Sequence, residues 1–428
     1  LPALNVTSTL SRSIWVLYIG NVVTHNIEDV VYHSVLYNLK MLKKNIKLLS
    51  IFNFLIGFSF FAPLAIIYFS KISGSFTLGA SIFGITMLSS AIFEIPTGVL
   101  SDKVGRKYTI ILGSWARVLA FVFYALGYSY WWLVVGAILE GVSRSFYSGN
   151  NDAFLYDTLA DNKRIDEYQE FRGKVSSTEQ LAMGLSALLG GFIANFSFTY
   201  LMWLSVAAQV GMLVISYMFT EPRSRKVIDS NTYTHVKEAM SLFIHNKKLR
   251  LLSIASILGY STSELGWQFK SAFIVTVWPI WAIGISRMLP SFGASLSFYF
   301  SGKLIKRFKE INIILFDSVY GKLISFISLI FPSVFSPILM STPSFLFGVT
   351  TVAENTLMQR EFTDHQRATM SSLNSLGGSI GFAIMSLVLG GLADAMGPAK
   401  ALIFLTVIGL PTIYLYWIIF RNDKRTAI

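Results

Sequence analysis

Gly98-Val-Leu-Ser-Asp102-Lys-Val-Gly105-Arg106-Lys107 is the stretch on which the reading of this chain turns. It stands between two apolar runs, 77–100 and 108–128, each near the roughly 20 residues that span a bilayer as a helix. Gly98 and Gly105 permit close helix approach and a tight turn. Asp102 calls for a helix N-terminus or a cation to neutralise it. Arg106 needs an acceptor, and Asp157 or Asp152, at the end of a later apolar run, is the nearest candidate. With Lys103 and Lys107 it also forms a basic flank of the kind that cytoplasmic loops retain.

The pattern repeats along the chain. Of 428 residues, 53% are hydrophobic and 14% charged, with a mean hydropathy of +0.57; soluble globular proteins carry about 25% charged residues. Helical spans are expected near 48–70, 77–100, 108–128, 131–156, 173–195, 198–219, 250–272, 276–301, 311–331, 335–358, 368–392 and 399–420. This predicts an all-α membrane protein of twelve transmembrane helices and excludes a water-soluble enzyme. There is no cysteine, so disulfides, thiolate zinc sites and iron–sulfur clusters are ruled out. His25, His33, His235, His245 and His365 all lie outside the apolar runs, which leaves no intramembrane histidine for metal or proton chemistry. No Gly-x-x-x-x-Gly-Lys-[Ser/Thr] is present, so a P-loop ATPase is excluded and no cofactor is expected. Residues 1–40 hold one apolar run of about ten residues, too short to span. They are expected to be an extension outside the native protein, which would start at Met41.

Basic residues choose the orientation. With the N-terminus inside, the cytoplasmic segments hold 26 Lys and Arg, while the outer segments hold Lys71, Lys270 and Lys400. Both termini are therefore expected inside, and the net charge of +12 is a topology signal that calls for no nucleic acid. The polar stretch 220–249 divides the chain into an N-terminal bundle, 41–219, and a C-terminal bundle, 250–428. The two echo each other: Asp152-Ala-Phe-Leu155 against Glu354-Asn-Thr-Leu357, Arg172-x-x-x-Ser176-Ser177 against Arg367-x-x-x-Ser371-Ser372, and Gly98-x-Leu100 against Gly302-x-Leu304. Repeated halves with a substrate site between them are the build of many secondary transporters.

The quoted stretch resembles motif A of the major facilitator superfamily, G-x-L-[AS]-D-x-x-G-R-[KR], and stands where that family carries it, in the loop after the second of twelve spans. The resemblance implies two pseudo-symmetric six-helix bundles and alternating access. It also implies a gating role for Gly98, Asp102, Gly105, Arg106, Lys107, Asp152 and Asp157, tying the halves together on the cytoplasmic side when the pore faces outward. The second-half copy, Gly302-Lys-Leu-Ile-Lys306-Arg-Phe, has lost the acid and the second glycine. The exporter signature of span five survives only as Ala182-x-x-x-Ser186-Ala187-x-x-Gly190-Gly191, without its proline.

Ionisable side chains within spans each need a partner or a cavity. Glu140 and Arg144 share a helix face four residues apart and can pair. Arg117 and Lys322 hold near-equivalent places in the two halves, which predicts a pair of basic groups facing a central cavity, with Glu264, Asp317 and Arg287 across it. A carboxyl in an apolar setting exchanges its proton nearer neutral pH, so proton coupling falls to Glu264, beside Trp267, then to Glu94 or Asp317. The cavity candidates are Arg117, Glu140, Arg144, Trp267, Arg287 and Lys322. The expected function is proton-coupled export of hydrophobic or amphipathic small molecules by a monomer in the cell membrane, of the prokaryotic inner-membrane kind. The alternatives are an importer or exchanger of a small anionic or zwitterionic metabolite, and a non-transporting sensor with the same fold.

Overall fold

The structure, a computed structural model, describes residues 40–223, 243–244, 246–360 and 364–426; the linker expected at 220–249 lies mostly outside this set, as do residues 1–39. The first span is not the continuous helix expected at 48–70. It starts at Lys40, runs as α1 (40–57), unwinds, passes a single 3-10 turn at Ala62–Leu64 and resumes as α2 (Ala65–Ser73). Pro63 sits in that turn, and a proline has no N–H to donate to the preceding turn.

The remaining segments of the first half are α3 (Phe76–Val104), α4 (Arg106–Leu126), α5 (Tyr130–Tyr147) continued by α6 (Asn150–Ala160), α7 (Tyr168–Phe196) and α8 (Phe198–Met218). The second half holds α9 (Lys247–Ile274), α10 (Ile280–Phe308), α11 (Glu310–Ile330), the short α12 (Ser336–Leu339) leading into α13 (Ser344–Arg360), α14 (Asp364–Met396), and α15 (Pro398–Ile408) followed by α16 (Pro411–Thr426). The fourth, tenth and twelfth spans are thus interrupted where unbroken runs were expected, the fourth at Ser148 and Gly149 and the twelfth at Gly409 and Leu410 just before Pro411. Side-chain caps explain several starts: Ser75 accepts from the Leu78 N–H, Ser197 from Tyr200 and Asn246 from Leu249, each satisfying a donor that the first turn leaves orphaned.

Twelve helical segments result, in two sets of six. Among the described residues, eight segments are long and apolar enough to cross a membrane. The other four are α5–α6, α7, α9 and α10, and on them lie Glu140, Arg144, Glu179, Glu264, Lys270 and Arg287. The polarity that lowers their hydropathy is the polarity of the candidate site.

The repeat is visible in the backbone. α3 and α10 are both 29 residues and α4 and α11 both 21, and each pair is joined through one residue with positive φ: Gly105 (φ 110, ψ 158) and Lys309 (φ 65, ψ 149). The second half has lost the glycine but kept the conformation, a region that is nearly glycine-only and costs about 1–3 kcal/mol for a side chain. Lys309→Gly should therefore raise thermal stability in detergent by about 1 kcal/mol with transport unchanged. Gly105→Ala should lower it, because the new Cβ would also sit 2.8 Å from the Glu221 carboxylate.

The apolar core shows how the halves meet. At the end away from the basic loops, one continuous cluster joins them, from Phe61, Phe69, Phe121 and Tyr124 in the first half to Phe269, Phe273, Phe382 and Leu402 in the second. At the basic end the core divides. One cluster is built on Leu49, Phe52, Phe154 and Phe219, entirely in the first half, and another on Leu252, Ile314, Ala353 and Ile419, entirely in the second. The halves are packed together at one end and separate at the other.

Candidate functional site

The unwinding after α1 removes the amide partners of the carbonyls at its end, and these oxygens must be satisfied otherwise. The Leu55 carbonyl accepts from Gln209 Nε2 at 3.2 Å, Ile56 from Arg117 Nη2 at 3.1 Å, and Gly57 from Ser186 Oγ at 3.3 Å. Arg117 Nε also donates to Gln209 Oε1 at 2.9 Å, its Nη1 lies 4.0 Å from Glu140, and its guanidinium covers the Phe121 ring at 5.0 Å. Arg117 is 8% exposed. The described partners of Arg117 all lie within the first half, where it plugs the gap beside the unwound turn; the sequence expectation set it facing a central cavity.

Glu140 is the hub that connects this plug to the cleft. It accepts from Tyr124 Oη at 2.9 Å and from Arg144 at 3.5 Å, so the expected pair four residues apart is present. Arg144 remains 44% exposed at its side chain and lies within electrostatic reach of Glu264 on α9, in the other half.

On α9, Glu264 is half-buried and accepts from Gln268 Nε2 at 3.0 Å; among the described residues it forms no ion pair. Arg287 on α10 is also within its electrostatic reach. Arg287 is 5% exposed, its Nη1 has no hydrogen-bond partner, and its guanidinium stacks 4.4 Å over Trp267. Its other nitrogens donate to Ser271 Oγ at 3.1 and 2.7 Å. Ser271 in turn donates to the Pro63 carbonyl at 2.5 Å, so the broken first span is tied to the second half through another orphaned carbonyl. The structure therefore brings Glu140, Arg144, Glu264, Trp267 and Arg287 to the facing surfaces of the two halves.

Lys322 and Asp317 do not join them. They lie five residues apart on α11, within electrostatic reach of each other, and Lys322 packs beside Gly409 at the break in the last span. Near Asp317, Tyr416 Oη donates to Glu354 at 2.6 Å, inside the second half. The expected pairing of Lys322 or Asp317 across a cavity is not what the fold builds. Glu94 stands half-buried on α3, two turns before Asp102, with no ion pair among the described residues.

The segment 98–107, helical on both sides of Gly105 where the sequence suggested a loop, is organised around Arg106. Its Nη1 lies 3.1 Å from Asp102 and donates to Ser101 Oγ at 2.8 Å, and its Nε lies 3.4 Å from Asp157. Burial pushes the Asp157 carboxyl above its ordinary pKa, and the Arg106 charge opposes that shift. Asp152, the other expected acceptor, pairs instead with Arg172 at 2.9 Å. Asn150 completes the joint, accepting from Ser101 Oγ and donating to the Arg106 carbonyl. Glu221, which sequence reasoning missed, receives the Arg106 and Lys107 N–H groups on its two carboxylate oxygens, both at 2.7 Å, and so caps α4. Its only signal was position, an acid just past the sixth span. All these contacts stay within the first half, and Gly98, Gly173 and Gly302 face open space.

At the packed end the small residues of span five find a use. A Cβ on Gly191 would sit 2.6 Å from the Trp281 carbonyl oxygen, and one on Gly284 3.0 Å from Leu188 Cα. The glycines let α7 and α10 touch backbone to backbone.

A family profile described as Major Facilitator Superfamily matches residues 48–385. Among curated relatives, an uncharacterized MFS-type transporter of Methanocaldococcus jannaschii is 24% identical, over 86% of this chain and 97% of its own. The inner membrane transport protein YajR of Escherichia coli is 25% identical over 53% of this chain and 50% of its own, and a transporter of Buchnera aphidicola is matched over 43% of its length. Among solved structures, the nucleoside transporter NupG superposes with a TM-score of 0.71 at 13% identity, covering 89% of this chain and 99% of that one. A bacterial homologue of the human lysosomal transporter Spinster, in an inward-facing and unoccupied conformation, does so at 0.69 and 15% identity, over 90% of this chain and 97% of its own. Two sets of six helices, a helix–turn–helix segment 98–107 folded around Arg106 and a profile match across most of the chain agree: this protein belongs to the major facilitator superfamily and is a secondary transporter.

Proposed function

We propose that the chain is a proton-coupled exporter of amphipathic small molecules, with the basic end and both termini on the cytoplasmic side of a cell membrane. Its halves rock around the cleft, and the split core at the basic end corresponds to the inward-open state. The observation that carries the reading is Glu264: a half-buried carboxyl between the halves, bonded to Gln268 and without an ion pair among the described residues, beside the indole of Trp267. Such a group can gain and lose a proton without dismantling a salt bridge, and an intramembrane acid is a functional group by default.

One observation favours a second reading, transport of a small organic acid. Arg144 and Arg287 stand on opposite halves, and Arg287 keeps one nitrogen without a partner. Flux in proteoliposomes separates the two. Under an imposed pH gradient, an antiporter accumulates a lipophilic dye in the acidic compartment, whereas a symporter accumulates an aromatic carboxylate in the alkaline one. Neither accumulation, with ligand binding intact, would point to a non-transporting sensor.

A further inference from the structure

α3 and α14 run antiparallel as one of the two extensively packed helix pairs between the halves, and at the packed end their contact is polar as well as tight. Asp394, near the C-terminal end of α14, accepts the Phe76 N–H at 2.6 Å, the Thr77 N–H at 2.9 Å and the Thr77 hydroxyl at 2.6 Å. Ser75 already caps Leu78. The first turn of α3 is thus completed by a residue 317 positions away, in the other half. Gly390, one turn earlier on α14, makes the approach feasible, since a Cβ there would meet Thr77 Cα at 2.6 Å. A neighbouring cleft of about 340 Å³, lined by Phe76, Ala272 and Asp394 among others, brings solvent to the joint.

We propose that Asp394 and Thr77 form the latch of the outer gate: the carboxylate caps α3 when that gate is shut and hands its bonds to water when the halves part. Orphaned N–H groups and the helix dipole attract the carboxylate, and charge-assisted bonds are among the stronger ones. Because the cap joins the halves, its free energy belongs to the closed-outside state alone and sets the balance between states. Asp394 is therefore a positioning residue for the transport cycle. The idea rests on the rocking motion of the proposed function.

The absence of native cysteine permits paired spin labels without background. Labels on cysteines replacing Tyr128 and Lys400 read the separation of the outer ends; labels replacing Lys163 and Lys309 read the basic ends. Asp394→Ala should raise the ratio of outer-open to inner-open molecules about tenfold, equivalent to about 1.4 kcal/mol, with the outer distance lengthening as the inner one shortens. Thr77→Val, which removes one of three bonds, should shift it less. Gly390→Leu, a wedge that leaves the carboxylate in place, should produce the same reciprocal shift if Asp394→Ala fails to fold. An unchanged ratio in folded Asp394→Ala, or both distances broadening together, overturns the latch. A wild type that never shows a second population under any gradient overturns the rocking motion itself.

Discussion

Glu264→Gln is expected to abolish gradient-driven transport, with accumulation under an imposed pH gradient falling by about 100-fold or more, the scale on which losing a positioned proton-transfer group is felt. Glutamine keeps the size of the side chain and can still bond Gln268, whose amide stands 3.0 Å away. What it loses is the exchangeable proton. Downhill exchange of substrate, which needs the rocking motion but no proton, should persist within about threefold of wild type, a change too small to reflect a lost transition-state contact. The rival account makes Glu264 only a counter-charge for Arg144 and Arg287, which lie within its electrostatic reach. That account expects the reverse: stability falls because Arg287 loses its acid and Arg144 keeps Glu140 alone, while coupling survives. Measuring exchange and gradient-driven flux in the same proteoliposomes distinguishes the two. Glu94→Gln and Asp317→Asn serve as comparisons, and Asp317, enclosed in the second half beside Lys322 and Glu354, should leave coupling intact.

The number of spans, their repeat in two sets of six and the turn within 98–107 were legible because each depends on local composition. An apolar run of sufficient length must form a helix in a bilayer, and Gly98 to Lys107 carries its turn and its charges within ten residues. The interruptions were less legible. Pro63 and Pro411 could have signalled two of them, yet hydropathy alone runs straight through both. The site was read half correctly for a related reason. Glu140 and Arg144 pair along one helix, which spacing predicts, but the partners of Arg117 are Gln209 and the Ile56 carbonyl, brought together from two other spans. Asp394 was invisible altogether, since nothing near it in the chain explains it and its three bonds are made to Phe76 and Thr77. Charge within a span tells a reader that a partner exists; only the packing says which helix supplies it.

Arg117 carries the largest stability consequence. A carbonyl at the end of α1 would take its bond from an amide four residues on, and the unwound stretch after Gly57 provides none in helical register. Arg117 and Gln209 substitute for that missing turn: one guanidinium serves the Ile56 carbonyl and the Gln209 amide oxygen, and the Gln209 amide nitrogen serves Leu55. Replacing Arg117 with Met preserves much of the volume but leaves the Ile56 oxygen and Gln209 Oε1 unsatisfied and Glu140 with Arg144 as its remaining cation. Each buried acceptor left without a donor costs about 1–3 kcal/mol, so with two orphaned, Arg117→Met should lower thermal stability sharply in detergent. Arg117→Lys should recover little, because an ammonium cannot reproduce the planar fork that reaches Gln209 and the backbone together. Gln209→Leu should cost less, about 1–3 kcal/mol for the orphaned acceptor. The double variant should fall short of the sum, since the two side chains share one network. A cavity-facing substrate arginine would behave differently, with Arg117→Lys folding normally and raising KM. Thermal stability and transport measured on the same four variants therefore decide whether Arg117 holds the broken span in place, and normal stability of Arg117→Met would refute the plug.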